Sequence, residues 1–368
     1  MLNKDENTIA EEADPRIKKI RLKGLTLPDL QDYFLQKGEP KYRAEQVFNW
    51  MYNHLADDFN EMKNLPKNLR SYLSNIAEIN TLIFAGSEVS ADTGTKKFIF
   101  KTNEGNIIES VIIPEKKRTT LCISTQVGCP LDCKFCATGL MGYKKNLNAG
   151  EIFDQYKMAA SDYGRDKITN IVYMGMGEPL LNYKETIKSL EIFGEELTTG
   201  ISLKKITVST AGIAPKIKEL ADTGLNVKLA FSLHSCFEDI RTKIMPINEK
   251  YSLAQNFEIL KYYAKKTETR ITFEYVMLKG INDREEDLNA LVKLCSQIPS
   301  KVNVIPFNSL KHMNPTGYAA KLEPTTQRRI DWFCDKLREK NVTVIVRYTQ
   351  GADIAAACGQ LAVESQRK

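Results

Sequence analysis

The 368-residue sequence predicts an α/β protein made of a partial (βα)6 barrel, a small N-terminal helical domain and a β-hairpin connector. Apolar residues recur at three- and four-residue steps from Leu25 to about Ile79, which is typical of amphipathic helices. Two alternating runs, KKFIFKT and NIIESVIIP, then flank Glu104-Gly105 and predict a hairpin. Finally, six strand-like runs alternate with six helical stretches, as in a parallel sheet covered by helices.

The six predicted barrel strands are rich in Val and Ile, as expected for strands buried on both faces. Six units are too few for a closed eight-unit barrel, so we expect an open one with its chemistry at the carboxyl ends of the strands. The predicted boundaries are 1–16 for a flexible acidic tail, 17–80 for the helical domain, 81–118 for the connector, 119–345 for the barrel and 346–368 for a C-terminal tail.

Composition excludes several classes of protein. Hydrophobic residues make up 42% and charged residues 27%, which excludes a largely disordered or collagen-like chain. No apolar run reaches the roughly 18 residues that span a membrane, and the N-terminus lacks the apolar region of a secretion signal. We therefore expect a cytoplasmic protein without a membrane partner. The net charge of +6 permits an acidic partner such as RNA but does not require one.

The predicted helical domain is interleaved with basic residues. A solvated helical surface and a phosphate-binding face both fit this pattern, and charge alone leaves the choice open. The residues concerned are Lys18, Lys19, Arg21, Lys23, Lys41, Arg43, Lys63, Lys67 and Arg70.

A cysteine cluster directly follows the first barrel strand. Cys129, Cys133 and Cys136 have the spacing C-x3-C-x2-C in one short loop. Three thiolates can bind three irons of a 4Fe–4S cluster and leave the fourth open to chelate S-adenosylmethionine. Structural zinc is less favoured because it prefers four ligands and Cys122, inside a strand, is the only nearby fourth candidate. Plain core cysteines are the remaining alternative.

Further polar motifs stand at the ends of later strands. MGMGEP ends the second strand, where glycine lets the backbone approach a ligand and Glu178 can accept a hydrogen bond from an ammonium group. Each motif alone also fits an ordinary glycine turn or a structural histidine.

The chain resembles the radical S-adenosylmethionine superfamily in a series of motifs. In chain order they are QVGCPLDCKFCATG, MGMGEPLLN, TVSTAG, FSLHS, IPFN and GADIAAACGQL. Within this superfamily, the chain is similar to the dual-specificity methyltransferases that act on C2 of adenine in 23S ribosomal RNA and in tRNA. The resemblance covers nearly the whole chain except the first 16 residues. It implies that S-adenosylmethionine is contacted by the candidate binding residues Gly177, Glu178, Ser209, Ser232, Leu233, His234 and Asn308. It also implies that the helical domain binds RNA.

The resemblance also implies roles for three further residues. One S-adenosylmethionine would methylate Cys358, and a second, cleaved at the cluster, would activate that S-methyl group for addition to C2. Glu109 would remove the C2 proton, and Cys122 would release the product by forming a transient disulfide with Cys358. A reductase or flavodoxin-type electron donor and a monomeric state are further expectations. Without the resemblance, buried cysteines and an exposed strand glutamate would be the simpler interpretations.

Three alternatives remain open at this point. A related resistance enzyme methylates C8 of the same ribosomal adenine and shares the cluster, both reactive cysteines and the glutamate. A non-catalytic RNA-binding protein could use the metal site structurally. A radical enzyme acting on a small molecule would not need the basic helical domain.

Overall fold

The computed structural model describes residues 19–362. The predicted tail over residues 1–16 lies outside the described residues, as do the start of the predicted helical domain and residues 363–368 of the C-terminal tail. Among the described residues, no helix combines the length and the apolar character needed to cross a membrane.

The N-terminal region contains three helices that bury the apolar positions of the sequence pattern against one another. Thr26 begins the first helix by accepting a hydrogen bond from the Asp29 N–H, and a proline precedes each of the other two. A two-stranded parallel ribbon joins the start of the region to its end. The elements are β1 (Ile20–Arg21), α1 (Leu27–Gln36), α2 (Lys41–Tyr52), α3 (Lys67–Ile76) and β2 (Ala77–Glu78).

The predicted hairpin is present, and a further strand extends it. Strand β3 (Leu82–Val89) pairs with β4 (Lys96–Thr102), which pairs in turn with β5 (Ile107–Glu115), all antiparallel. The sequence pattern missed β3 because most of its side chains are exposed, so hydrophobic and polar residues do not alternate along it. The connector is therefore a three-stranded sheet.

The barrel contains the six predicted parallel strands and one short additional strand. The remaining strands are β6 (Arg118–Cys122), β7 (Gln126–Gly128), β8 (Tyr143–Asn146), β9 (Asn170–Tyr173), β10 (Ile206–Thr210), β11 (Lys228–Ser232), β12 (Ile271–Met277), β13 (Ser300–Pro306) and β14 (Val344–Val346). The remaining helices are α4 (Ala137–Leu140), α5 (Ala149–Tyr163), α6 (Tyr183–Gly194), α7 (Ala214–Asp222), α8 (Glu238–Ile244), α9 (Leu253–Thr267), α10 (Glu285–Gln297) and α11 (Gln327–Glu339).

One ten-stranded sheet includes both the barrel and the connector, in the order β14-β13-β12-β11-β10-β9-β6-β5-β4-β3. Within this sheet, β6 and the strands from β9 to β14 are parallel, whereas β5 pairs antiparallel with β6. The α/β prediction is therefore confirmed, and the connector continues the barrel sheet as one surface. The short ribbon of β7 and β8 stands apart and frames the cysteine loop.

Helix α5 attaches the N-terminal region to the barrel, and 11 of its 15 residues are buried. The Tyr52 and Phe153 rings meet edge to face, with their centroids 4.8 Å apart. The Lys23 ammonium lies 2.8 Å from the Asp154 carboxylate, and both side chains are fully buried. Asp154 also accepts hydrogen bonds from the backbone N–H and the hydroxyl of Thr81. Burial lowers the pKa of Lys23, and the neighbouring Asp154 charge opposes that shift.

We predict that Asp154→Ala lowers the free energy of unfolding by about 3–5 kcal/mol, because it leaves a buried ammonium without its counter-charge. The matched control is Asp162→Ala, whose carboxylate is 40% exposed and pairs with Lys96. The control change should stay below about 1 kcal/mol. Urea unfolding of both variants measures the difference, and equal losses would contradict this account of the junction.

Candidate active site

A cleft opens at the carboxyl ends of the barrel strands, with about 1030 Å³ of unfilled space that includes open solvent. It brings together most of the residues that the sequence singled out. Three predicted residues do not line it: Leu233, Cys122 and Glu109. The predicted residues that do line it are Cys129, Cys133, Cys136, Gly177, Glu178, Ser209, Ser232, His234, Asn308 and Cys358.

The three loop thiols share this cleft without converging on one point. Within residues 19–362, no three His, Cys, Asp or Glu side chains are arranged to hold a single metal ion. Burial nevertheless raises the pKa of the Cys133 thiol well above its usual value, and the charges of Cys136 and Cys129 raise it further. The ligands of a 4Fe–4S cluster bind different irons, so they need not meet at one point. The three thiols are therefore compatible with a multi-iron cluster.

The turn after β9 needs glycine at one position and holds a buried carboxylate at the next. Gly177 has φ +99°, and a Cβ there would lie 2.5 Å from the Cβ of Gln126. The Glu178 carboxylate accepts hydrogen bonds from the backbone N–H groups of Ala211, at 2.8 Å, and Leu180, at 3.1 Å. Burial raises the pKa of Glu178 to about 7, although these hydrogen bonds oppose the shift. A cationic ligand in the cleft would favour its ionised form.

The end of β11 presents a neutral histidine to the cleft. The Nδ1 atom of His234 accepts a hydrogen bond from the Val276 N–H at 3.0 Å, so the ring proton is carried by Nε2. Burial, and then the nearby Arg241 charge, lower the pKa of His234 to about 3. Ser232 lies in the cleft wall, whereas Leu233 is fully buried and does not line the cleft.

The C-terminal loop (residues 351–361) brings Cys358 to the cysteine loop. The Asn308 side chain donates to the Cys358 carbonyl at 3.1 Å, and the Ala137 N–H donates to the Gly359 carbonyl at 2.7 Å. Cys358 is exposed towards the cleft, yet the protein atoms around its thiol exclude enough water to raise its pKa to about 12. Two residues at opposite ends of the barrel sequence therefore hold Cys358 in place.

Cys122 and Glu109 lie in the sheet next to the cleft. Cys122 ends β6, and burial, followed by the charge of Cys358, raises the pKa of its thiol to about 12. Both cysteines are free thiols in this structure. Glu109 in β5 is only 2% exposed, so it is not the exposed strand glutamate of the simpler interpretation. The Lys97 ammonium lies 3.8 Å from its Oε1 atom.

Sequence reasoning missed Arg241, a fully buried arginine on α8. Its guanidinium donates to the carbonyls of Ala211 at 2.7 Å, Ser232 at 2.9 Å and Leu233 at 3.1 Å, and to the side chain of Asn248 at 2.6 Å. It thus connects the ends of β10 and β11. Helix α8 is too short to stand out from the sequence, and an arginine on a helix normally indicates a solvated face.

Arg347 and Glu274 are two further charged residues in the cleft wall that the sequence analysis did not identify. The Arg347 charge opposes the rise in pKa of both Cys122 and Cys358. Glu274 in β12 is buried and accepts a hydrogen bond from the Asn303 side chain at 2.8 Å. Its charge adds to the raised pKa of Cys358. These two residues therefore set the charge around the C-terminal loop.

Family models match both parts of this architecture. Residues 20–79 match the family described as the ribosomal RNA large subunit methyltransferase N-terminal domain. Residues 123–292 match the radical SAM superfamily, in which SAM denotes S-adenosylmethionine. The second match contains the cysteine loop and the strand ends up to β12.

Similar proteins extend the match to nearly the whole chain. The Dual-specificity RNA methyltransferase RlmN of Alcanivorax borkumensis is 42% identical over 353 residues, which are 94% of this chain and 90% of that protein. The protein of the same name from Geotalea uraniireducens is 43% identical over 94% of this chain and 97% of its own length. A crystal structure of a radical SAM methyltransferase from Sphaerobacter thermophilus superposes with a TM-score of 0.87. It is 39% identical, and the match covers 94% of this chain and all of that one.

We predict that Arg241→Met lowers the free energy of unfolding by more than about 3 kcal/mol, because several buried acceptors lose their charged donor together. Arg241→Lys keeps the charge but lacks the planar fork of donors, so its loss should be intermediate. Arg338→Met removes a half-exposed ion pair with Asp335 and serves as the control. Urea unfolding in which all three variants behave alike would refute the role of Arg241 at the strand ends.

Proposed function

The chain belongs to the RlmN-type dual-specificity RNA methyltransferases of the radical SAM superfamily, and from this premise we propose which atom it methylates and which residues act. It is an S-adenosylmethionine-dependent RNA methyltransferase. The proposed target is C2 of one adenine in the peptidyl-transferase centre of 23S ribosomal RNA and of the adenine 3′ to the tRNA anticodon. The observation that carries this proposal is that Cys358 lines the same cleft as the three loop cysteines.

The superfamily uses S-adenosylmethionine and a 4Fe–4S cluster. We propose that Cys129, Cys133 and Cys136 bind three irons, that the fourth stays open, and that each turnover consumes two molecules of S-adenosylmethionine. When bound, the cluster supplies the electron that makes S-adenosylmethionine a source of one-electron chemistry. The neighbouring residues provide the binding surface, with the Glu178 carboxylate suited to the ammonium group. The remaining contacts around Gly177 would come from Ser209, Ser232, His234 and Asn308, which line the cleft, and from the Leu233 backbone.

Cys358 and Cys122 have distinct parts in this proposal. The Cys358 sulfur would accept a methyl group from one S-adenosylmethionine, and the second molecule, once cleaved, would remove a hydrogen atom from that methyl group and leave as 5′-deoxyadenosine. The carbon would then bond to C2 of adenine, and the adduct would lose one electron, returned to the cluster, and its C2 proton. The Cys122 thiolate would next attack the Cys358 sulfur, which forms the disulfide, breaks the sulfur–carbon bond and leaves a carbon that takes up a proton to become the product methyl group. Burial raises the pKa of both thiols, so the positive charge of Arg347 is needed to favour the reactive thiolates. An external reductant, proposed to be a reductase or flavodoxin-type donor, restores the thiols.

Glu109 is the proposed base that takes the C2 proton from the covalent adduct. Its side chain is buried, so the C2 proton would pass to a group that is held out of bulk water. It lies in β5, two residues before Val111, which pairs with Cys122 of β6. The proposed base and the proposed resolving cysteine therefore stand on adjacent strands.

RNA binding is proposed for the N-terminal region. Lys41 and Lys67 are exposed at the starts of α2 and α3, and Lys63 is exposed in the turn before α3. The Arg43 guanidinium lies 4.8 Å from the ring centre of the exposed Tyr42. Basic groups beside an exposed aromatic ring suit phosphates and unstacked bases. Because ribosomal RNA and tRNA are the proposed substrates, we propose a cytoplasmic enzyme. We also propose that it acts as a monomer.

The decisive experiment is anaerobic reconstitution followed by reaction with methyl-labelled S-adenosylmethionine, a reductant and either 23S ribosomal RNA or tRNA. We expect about four irons per chain. We also expect label in 2-methyladenosine when digested nucleosides are compared with 2-methyl and 8-methyl standards. Label at C8 would instead support the resistance-type activity. Bound zinc without RNA labelling would support the non-catalytic reading, and 5′-deoxyadenosine without labelled RNA would support a small-molecule substrate.

Variants of the two proposed reactive cysteines separate the two sulfur steps. Cys358→Ala should abolish RNA methylation, because no sulfur remains to carry the methyl group. Cys122→Ala should leave the RNA covalently attached to Cys358, visible as a slow protein–RNA band on a denaturing gel. Cys295→Ala, which removes a free thiol outside the cleft, should turn over like the natural protein. Full methylation by Cys358→Ala would refute the proposed carrier.

A further inference from the structure

The antiparallel connector places three charged side chains in a row on one face of the sheet. Glu88 in β3 pairs directly with Lys97 in β4. Lys97 pairs with Val111 in β5, so Glu109, two residues away, is its diagonal neighbour on the same face. The Lys97 ammonium lies 2.9 Å from Glu88 Oε2 and 3.8 Å from Glu109 Oε1. The strand register itself therefore positions an ammonium beside the proposed base.

Lys97 also contacts the C-terminal loop, 257 residues further along the chain. Its ammonium donates a hydrogen bond of 2.7 Å to the backbone carbonyl of Ile354, four residues before Cys358. The side chain of Lys97 is only 4% exposed. A buried ammonium needs an acceptor for each of its three donors, because an unmet donor carries the full cost of its lost hydration. Movement of the C-terminal loop away from the connector would remove one of these acceptors, the Ile354 carbonyl.

A second contact keeps the loop against the start of β4. Gly351 has φ +68°, and a Cβ there would lie 2.9 Å from Cγ2 of the fully buried Thr95 and 3.1 Å from the Cβ of Ala356. A side chain would force the loop away from the strand. The loop therefore rests on the connector at two neighbouring positions, Thr95 and Lys97.

We propose that Lys97 is a positioning residue that holds the loop carrying Cys358 at a fixed distance from Glu109. The inference rests on the proposed function, because the roles of Cys358 and Glu109 come from it. In that reaction the two residues act on one atom: the carrier forms a bond to C2, and the base removes the hydrogen from C2. A single cation that contacts the base and the loop fixes the distance between them.

The test compares Lys97→Met with Lys96→Met in the reconstituted protein. Lys96 is the adjacent residue on the opposite face of β4 and pairs with Asp162, so it is a matched control. Hydrogen–deuterium exchange over residues 351–361 reports directly whether the Lys97 hydrogen bond holds the loop in place. A single-turnover assay reports the ratio of methylated RNA to methyl carried on Cys358.

For Lys97→Met we expect about 10-fold to 100-fold faster exchange in the loop and a similar fall in the ratio, the size expected for losing one charged hydrogen bond. The ratio falls because loading of Cys358 needs the carrier alone, whereas RNA methylation needs the carrier and the base together. Lys97→Arg, which keeps the charge and the donors, should restore most of both values. Lys96→Met should leave both unchanged.

Equal behaviour of Lys97→Met and Lys96→Met in loop exchange and in the ratio would overturn the inference. If Lys97→Met does not fold, Lys97→Gln against Lys96→Gln gives the same comparison, since glutamine removes the charge without leaving a cavity. Failure of the proposed function would look different: Cys358→Ala would still methylate RNA. In that case the role for Lys97 in register with a base is wrong, whatever the loop exchange shows.

Discussion

The cleft depends on how the backbone hydrogen-bonding groups at the strand ends find partners. Where parallel strands stop, their last backbone groups face the ligand side and have no neighbour in the sheet. Two buried charged groups meet this need at one residue: Glu178 accepts from the Ala211 N–H, and Arg241 donates to the Ala211 carbonyl. Arg241 extends the same support to Ser232 and Leu233 at the end of β11. Rigid strand ends then let the neighbouring side chains face a common cleft.

Three distant parts of the chain complete this site. The cysteine loop follows β6, the connector adds the strand that carries Glu109, and the C-terminal loop returns to place Cys358 beside the cysteine loop. Helix α5 fixes the connector and the N-terminal region to the barrel through the buried ion pair of Lys23 and Asp154. The proposed RNA-binding surface is therefore attached rigidly to the proposed reaction site, as a base extruded from folded RNA requires.

Burial controls the chemistry of the cleft. It raises the pKa of the thiols and of Glu178 and lowers that of His234, so the neutral form of each group is favoured before ligands arrive. Positive charge at two places opposes this trend: Arg347 acts on both Cys122 and Cys358, and Lys97 stands beside Glu109. The charges of S-adenosylmethionine and of the cluster would enter a cleft lined by these buried groups. Electrostatic interactions are stronger there than at an open surface.

The sequence by itself determined the order of helices and strands, the spacing of the cysteine loop and the motifs at the strand ends, because these depend on local periodicity and short-range turns. It did not determine β3, whose exposed side chains leave no alternating pattern. Nor did it reveal Arg241, Arg347 or Lys97, whose surroundings come from residues far away in the chain. Without the resemblance, Glu109 would pass for an exposed strand residue, whereas the structure leaves it only 2% exposed. Only the tertiary structure decided these points, because burial and charge contact depend on which distant segments pack together.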